Sequence, residues 1–277
     1  MISLYSQTES VDPKPKGMEF VPQGQFNSTM IIGSDTLRKA TISVDAFWMS
    51  NEISNAEFRE FVDWAKNNPD KKLYQTKYSK EVVSDPKKGI MKDTMFVMQI
   101  TIGVSTFNSD MIDILALEKV NKDYKDYFTN KKYNDYPVVG VSFGMAEYFC
   151  LWKTMMENEK LKEQGLPPVR LYRIPLETEW EYVAQQPITK GDKNGLIQKV
   201  NDGNTNEWGL FHLDNNVSEW VKSVRGESVI VRGGSWKSEN SISERQLINT
   251  DSKEPNIGFR IVRSYLTTYS YKEITLR

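Results

Sequence analysis

The chain has 277 residues, with 36 Lys and Arg against 37 Asp and Glu and a net charge of −1. That balance leaves no basic stripe for a nucleic-acid backbone, and no run approaches the ~20 apolar residues of a membrane span. A single cysteine, Cys150, excludes an intrachain disulfide, and a single histidine, His212, excludes the zinc and non-haem iron centres built from two or three imidazoles.

The opening MISLYSQTESVDPKPKG lacks an apolar core of leader length. It reads as a flexible lead-in over 1–17, ahead of one domain over 18–277. Residues 18–49 read as β-rich. MEFVPQGQF turns at Pro22-Gln23-Gly24, and Ile42, Val44, Ala46 and Trp48 alternate in strand fashion. A helix follows. Ser54 and Glu57 have capping-box spacing, Phe58, Phe61, Val62 and Ala65 make one face, and Asn67-Asn68-Pro69 ends it.

Residues 70–135 read as an insertion, either packed on the core or serving as a partner-docking surface. Met95 to Val104 predicts a strand. SDMIDILALEKVNKDYKDYF predicts a helix capped at Ser109 or Asp110, with Met111, Ile114, Leu115 and Glu118 at helical spacing. YPVVGVS, 136–142, predicts a short buried strand. Ser142 then caps a helix from Phe143 to about Gln164, closed by Gly165 and Pro167. Cys150 falls on its apolar side beside Ala146 and Phe149, where a thiol is buried and inert.

LYRIPLETEWEYVAQQ predicts a strand end and a short acidic helix. Its Glu177 and Glu181 form an i,i+4 pair. They are either an acid/base couple or, with Glu179, acids that favour a helix N-terminus. Residues 187–208 read as a surface loop. GLFHLDNNVSEW, VIVRGGSW and NIGFRIVRS then read as short strands between tight turns, with no internal repeat.

The ordered segments GMEFVPQGQF, VDAFWMSNEISNAEFREFV, YPVVGVSFGMAEYFCLW, YRIPLETEWEYVA, GLFHLDNNVSEW, VRGGSW and NIGFR resemble the formylglycine-generating enzyme, or sulfatase-modifying factor, family over 18–66 and 136–264. The resemblance implies a mixed α+β variant of the C-type lectin-like fold, with two core helices, short antiparallel strands and much irregular loop. Active members are copper-dependent oxidases whose two cysteines follow the GGS-aromatic turn. Here those positions are Ser238 and Ser243. A serine hydroxyl binds Cu(I) poorly and forms no mixed disulfide, so neither oxidase activity nor copper is expected.

A hydrolytic set drawn from Ser238, His212 and Asp214 is the remaining nucleophile arrangement. The family branch with three His iron ligands is excluded by composition. The resemblance also implies calcium near backbone oxygens of Asn215 and Val217 and the Glu219 carboxylate. His212, at the first ligand position, is a poor calcium donor, and Glu219 is otherwise held by backbone N–H groups or an arginine. Leu176 replaces a capping Thr. Arg173, Trp180, Arg232, Gly233, Gly234, Trp236, Gly258 and Arg260 read as structural, the buried arginines bonded to carboxylates or carbonyls.

CLWKTMMENEKLKEQG and AFWMSNEISNAEFREFVDWA are similar to gliding-motility and type IX secretion lipoproteins of Bacteroidetes. That narrower resemblance implies a non-catalytic assembly protein at the periplasmic face of the outer membrane, with protein partners and a lipid anchor in the unprocessed chain. A lectin-like ligand-binding module and an enzyme of altered chemistry are the alternatives.

Overall fold

In chain order, the strands are β1 (Ser10–Val11), β2 (Met18–Val21), β3 (Gly24–Ile32), β4 (Thr36–Val44), β5 (Phe47–Ser50), β6 (Lys77–Asp85), β7 (Ile90–Met98), β8 (Tyr172–Arg173), β9 (Ser218–Lys222), β10 (Val229–Arg232), β11 (Arg245–Leu247), β12 (Ile257–Gly258), β13 (Val262–Ser264) and β14 (Thr267–Thr268). The helices are α1 (Asn55–Asn67), α2 (Ala116–Val120), α3 (Phe143–Glu163) and α4 (Glu177–Ala184). This computed structural model describes residues 10–32, 36–68, 73, 77–85, 90–98, 112–166, 168–187, 196–223, 229–238, 242, 245–265 and 267–268.

The fold is mixed α+β with small, mostly antiparallel sheets. One four-stranded sheet has the order β2-β5-β13-β8, and a second has the order β11-β10-β9-β12, in which β12 joins β9 in parallel. β3 with β4, β6 with β7 and β1 with β14 form two-stranded pairs. The alternation read through Ala46 breaks there, because β4 ends at Val44 and β5 begins at Phe47.

α1 starts as its sequence predicts. The Ser54 side chain accepts from the Glu57 backbone N–H at 3.3 Å, and Glu57 Oε2 accepts from the Ser54 N–H at 3.1 Å. Phe58, Phe61, Val62 and Ala65 are its buried face. α3 is capped by Ser142 and buries Ala146, Phe149 and Cys150. The two helices meet through Phe58 and Phe149, stacked at 5.7 Å, with Phe259 edge-on to both. Burial pushes the Cys150 thiol up, so it stays protonated and inert.

α4 shows the expected missing cap. Leu176 offers no side-chain acceptor, and only the reverse half of a capping box exists, with Glu179 Oε2 accepting from the Leu176 N–H at 2.8 Å. Leu176→Thr is expected to raise the unfolding free energy by about 1 kcal/mol, read as a higher urea midpoint at unchanged slope.

Three expectations are corrected. Residues 136–142 are not a strand. The segment makes single bridges, Ser54 to Pro137 and Ile112 to Val141, because Pro137 has no N–H to donate and Gly140 turns the chain at φ +73°. The long helix over 109–128 is only α2 followed by a 3-10 turn over Lys122–Tyr124. Ile112 is held in its bridge to Val141, and the Asn121 carboxamide accepts from the Asp123 N–H at 3.0 Å, which ends the helix. The capping positions Ser109 and Asp110 lie outside the described residues. The strand predicted over 95–104 starts earlier, since β7 begins at Ile90 and contains 95–98, while 99–104 lie outside the described residues.

The end of the lead-in is pinned. Asp12 is buried, its Oδ2 accepting from Trp48 Nε1 at 3.0 Å and its Oδ1 from Arg263 Nη2 at 2.8 Å. Residues 112–135 pack inward as well. Tyr124, Tyr127 and Tyr133 are buried together with Val139, Ile197 and Val217, and Trp236 lies against them. The C-terminal part of the insertion therefore packs against Trp236, two residues past the Gly233-Gly234 turn.

Candidate functional site

The loop after β9 and β10 is shaped by backbone demands. Gly233 has φ +85°, and a Cβ there would lie 3.2 Å from both the Leu213 carbonyl oxygen and the Trp180 ring. The Ser218 hydroxyl donates to the Gly233 carbonyl at 3.1 Å and lies 3.5 Å from that of Gly234. Trp236 donates its backbone N–H to Asn216 O at 2.7 Å and its indole N–H to Pro255 O at 3.3 Å. Gly258 lets β12 approach closely, since a Cβ there would meet Val138 O at 2.8 Å and Val217 Cγ2 at 3.0 Å.

Ser238 sits at the end of this turn, its hydroxyl 2.9 Å from that of Ser235, and Asn256 Nδ2 lies 3.4 Å from the same Ser235 oxygen. The backbones of Ser235 and Ser238 also bridge. Ser243 lies outside the described residues. Among the described residues the polar side chains bonded around the Ser238 hydroxyl are these neutral ones.

His212 does not serve as a base for Ser238. It is buried, at φ +57°, with Nε2 2.9 Å from Lys199 O and Nδ1 3.1 Å from the Asn215 carboxamide. Both partners are oxygens, Lys199 O and Asn215 Oδ1, which only accept, so the neutral ring donates its one N–H to one of them. Burial, with a smaller push from Arg260, holds its pKa below the ordinary value and the ring neutral. Both nitrogens are committed, and the Ser238–His212–Asp214 arrangement is not assembled.

The charged residues singled out in the sequence are joined into one chain of contacts. Arg260, fully buried, donates from Nε to Glu219 Oε2 at 2.6 Å and from Nη2 to Oε1 at 2.5 Å. Its remaining donors reach Ser50 O at 3.2 Å and Phe211 O at 2.9 Å. Trp180 Nε1 donates to Glu219 Oε2 at 2.7 Å. The Arg232 guanidinium stands 5.4 Å over the Trp180 ring and pairs with Glu177 at 3.2 Å and Glu181 at 3.6 Å. Arg245 also binds Glu177, at 2.8 Å. Glu177 and Glu181 are thus each paired with arginine. Arg173 makes a two-bonded pair with Glu179, at 2.6 and 2.7 Å, on the opposite side of α4.

Sequence reasoning missed Glu52. It is buried, Asn216 Nδ2 donates to its Oε2 at 2.6 Å, and its Oε1 has no partner among the described residues. Burial first, and repulsion from Glu219 second, raise its pKa well above the carboxylate range. The folded state thus keeps this proton past the pH near 4.3 at which an unfolded glutamate releases it. Glu52 favours folding below that pH, and the contribution is lost as pH rises towards the folded value. Glu52→Gln, which keeps the neutral shape, is expected to match wild type near pH 4 and to exceed it in stability at pH 7, read from urea unfolding at both pH values.

The comparisons with known proteins fit this geometry. The family described as "Sulfatase-modifying factor enzyme 1-like domain" matches residues 5–193 and 185–265. The chain belongs to that family. Three solved structures share the fold at 16% identity: CarF, with a TM-score of 0.51 over 91% of this chain and 99% of that one; PvdO from Pseudomonas aeruginosa, 0.51 over 94% and 100%; and the variable protein 1 of Treponema denticola, 0.50 over 89% and 94%. The comparison with curated proteins gave no match.

The metals implied for a sulfatase-modifying-factor fold meet an unsuitable donor set here. Cu(I) favours thiolate ligands, and the one thiol is enclosed in α3. Calcium takes carboxylate and carbonyl oxygens, and Glu219 is the one carboxylate of the implied set. Both oxygens of Glu219 are taken by Arg260 and Trp180, and Asn215 is engaged by the His212 ring. A buried guanidinium stands where a cation would neutralise Glu219. Among the described residues no helix is long and apolar enough to cross a membrane.

Proposed function

We propose that this chain is a non-catalytic member of the family, acting as a structural or assembly protein in a cell-envelope secretion or gliding-motility complex. The observation that carries the non-catalytic part is the turn at Ser238. Its hydroxyl pairs with that of Ser235, and among the described residues no thiol, charged base or imidazole is bonded to it. The assembly part is supported by the likeness of the long charged α3 and of α1 to gliding-motility and type IX secretion lipoproteins. On this reading the protein works at the periplasmic face of the outer membrane, anchored by lipid in its unprocessed form, and needs neither copper nor calcium.

Two measurements test it. Incubation with Cu(I) and a cysteine-containing sulfatase peptide should consume no oxygen and form no aldehyde, and turnover would refute the non-catalytic reading. Crosslinked capture from envelope fractions of the source cell should recover a defined secretion or motility component. A chain lacking 74–111, which keeps the tyrosine cluster, serves as the comparison. Recovery of no such component by the intact, folded chain would refute the assembly role.

A further inference from the structure

A cleft of about 660 Å³ opens at one end of the β2-β5-β13-β8 sheet, on the far side of α4 from the arginine-capped carboxylates. Its volume falls within the range of small-ligand sites. Phe20 and Tyr265 make an aromatic wall, their rings edge to face at 5.1 Å. Phe20 is 40% exposed in a chain whose other aromatic rings at this sheet are largely covered. Arg173 and Glu179 at the floor are matched to each other. Arg170 is exposed at the cleft and has no acidic partner among the described residues. Asp45, across the lining, is likewise exposed and unpaired among the described residues.

We infer that this cleft binds an aromatic amino-acid carboxylate, either free or at the end of a peptide, with the ring against Phe20 and Tyr265 and the carboxylate on Arg170. A guanidinium offers a planar pair of donors that matches a carboxylate. One cation without an acidic partner among the described residues fits a single negative charge, and the exposed Asp45 in the same lining opposes a polyanion such as a phosphate ester. A neutral ligand would bury the aromatic wall but leave Arg170 unmatched. The inference does not depend on the assembly role, because the cleft shares no residue with the turn at Ser238.

Titration of the full chain with N-acetylphenylalanine, N-acetylphenylalaninamide, free phenylalanine and Gly-Gly-Phe, followed by calorimetry and by ligand-observed NMR, tests it. The acid is expected to bind saturably and at least about tenfold more tightly than the amide, as a charge-assisted pair requires. Arg170→Ala should erase that difference without lowering the melting temperature, since the residue is exposed. Phe20→Ala should weaken acid and amide alike. Gly-Gly-Phe against free phenylalanine assigns the source of the carboxylate. Absence of saturable binding by every carboxylate probe, equal affinity for acid and amide, or an unchanged preference in Arg170→Ala would overturn the inference.

Discussion

Arg260→Met is expected to lower the unfolding free energy by about 3–5 kcal/mol, the cost of leaving a buried carboxylate without its partner. Arg260 gives Glu219 two short bonds and closes two backbone carbonyls from distant segments, Ser50 and Phe211. Removing the guanidinium also exposes Glu52 and Glu219 to each other, because Arg260 is the positive charge that offsets their repulsion. A second change separates charge from packing. Glu219→Gln in the same chain removes the stranded negative charge and keeps an acceptor for Trp180 Nε1, so the double variant should recover part of the loss. Urea unfolding of the four chains measures the coupling. If the single and double variants proved equally unstable, the damage would lie in packing and not in the uncompensated charge.

Gly140→Ala is expected to cost about 3 kcal/mol, combining a left-handed backbone with overpacking. The position has φ +73°, and an added Cβ would stand 2.3 Å from the Asp113 carbonyl oxygen and 2.9 Å from the Ala116 Cβ. Nothing there yields cheaply, since the nearest atom belongs to backbone. Gly140 O also accepts from the Asp113 N–H at 2.7 Å, and its own N–H donates to Glu254 O at 3.1 Å. The expected signature is local as well as global: faster proteolysis within 112–135 at temperatures where α1 and α3 remain folded. A cleavage pattern identical to wild type would mean that this contact does not hold the insertion to the core.

Much of the framework was legible because its causes are local. Ser54 with Glu57, Ser142, and the apolar faces of α1 and α3 are patterns within a few residues, and each formed as read. The missing cap at Leu176 and the buried thiol of Cys150 follow from residue chemistry at one position. What escaped the sequence depends on partners far along the chain. Asp12 looked like part of a polar lead-in, and its partner Arg263 lies 251 residues away. Glu52 sits in an ordinary helix approach, and only folding sets it beside Asn216 and Glu219. The predicted helix over 109–128 had the right periodicity, but a bridge to Val141 and a side-chain bond from Asn121 outcompeted it. At the candidate site, residue identity disclosed the missing thiols, while the pairing of Ser238 with Ser235 required the turn itself.

The pairing of β1 with β14 bears on how the protein responds to force. Ser10 faces Thr268 and Val11 faces Thr267, so the two ends of the described chain leave the body from the same edge. Tension applied between them pulls across that ladder and parts its bonds one after another, with little resistance from so short a pair. The pull then reaches Asp12, gripped by Arg263 and Trp48 inside the β2-β5-β13-β8 sheet. A tether drawn from either end would therefore lengthen by a few residues at low force and stop at a buried ionic clasp before the core is strained.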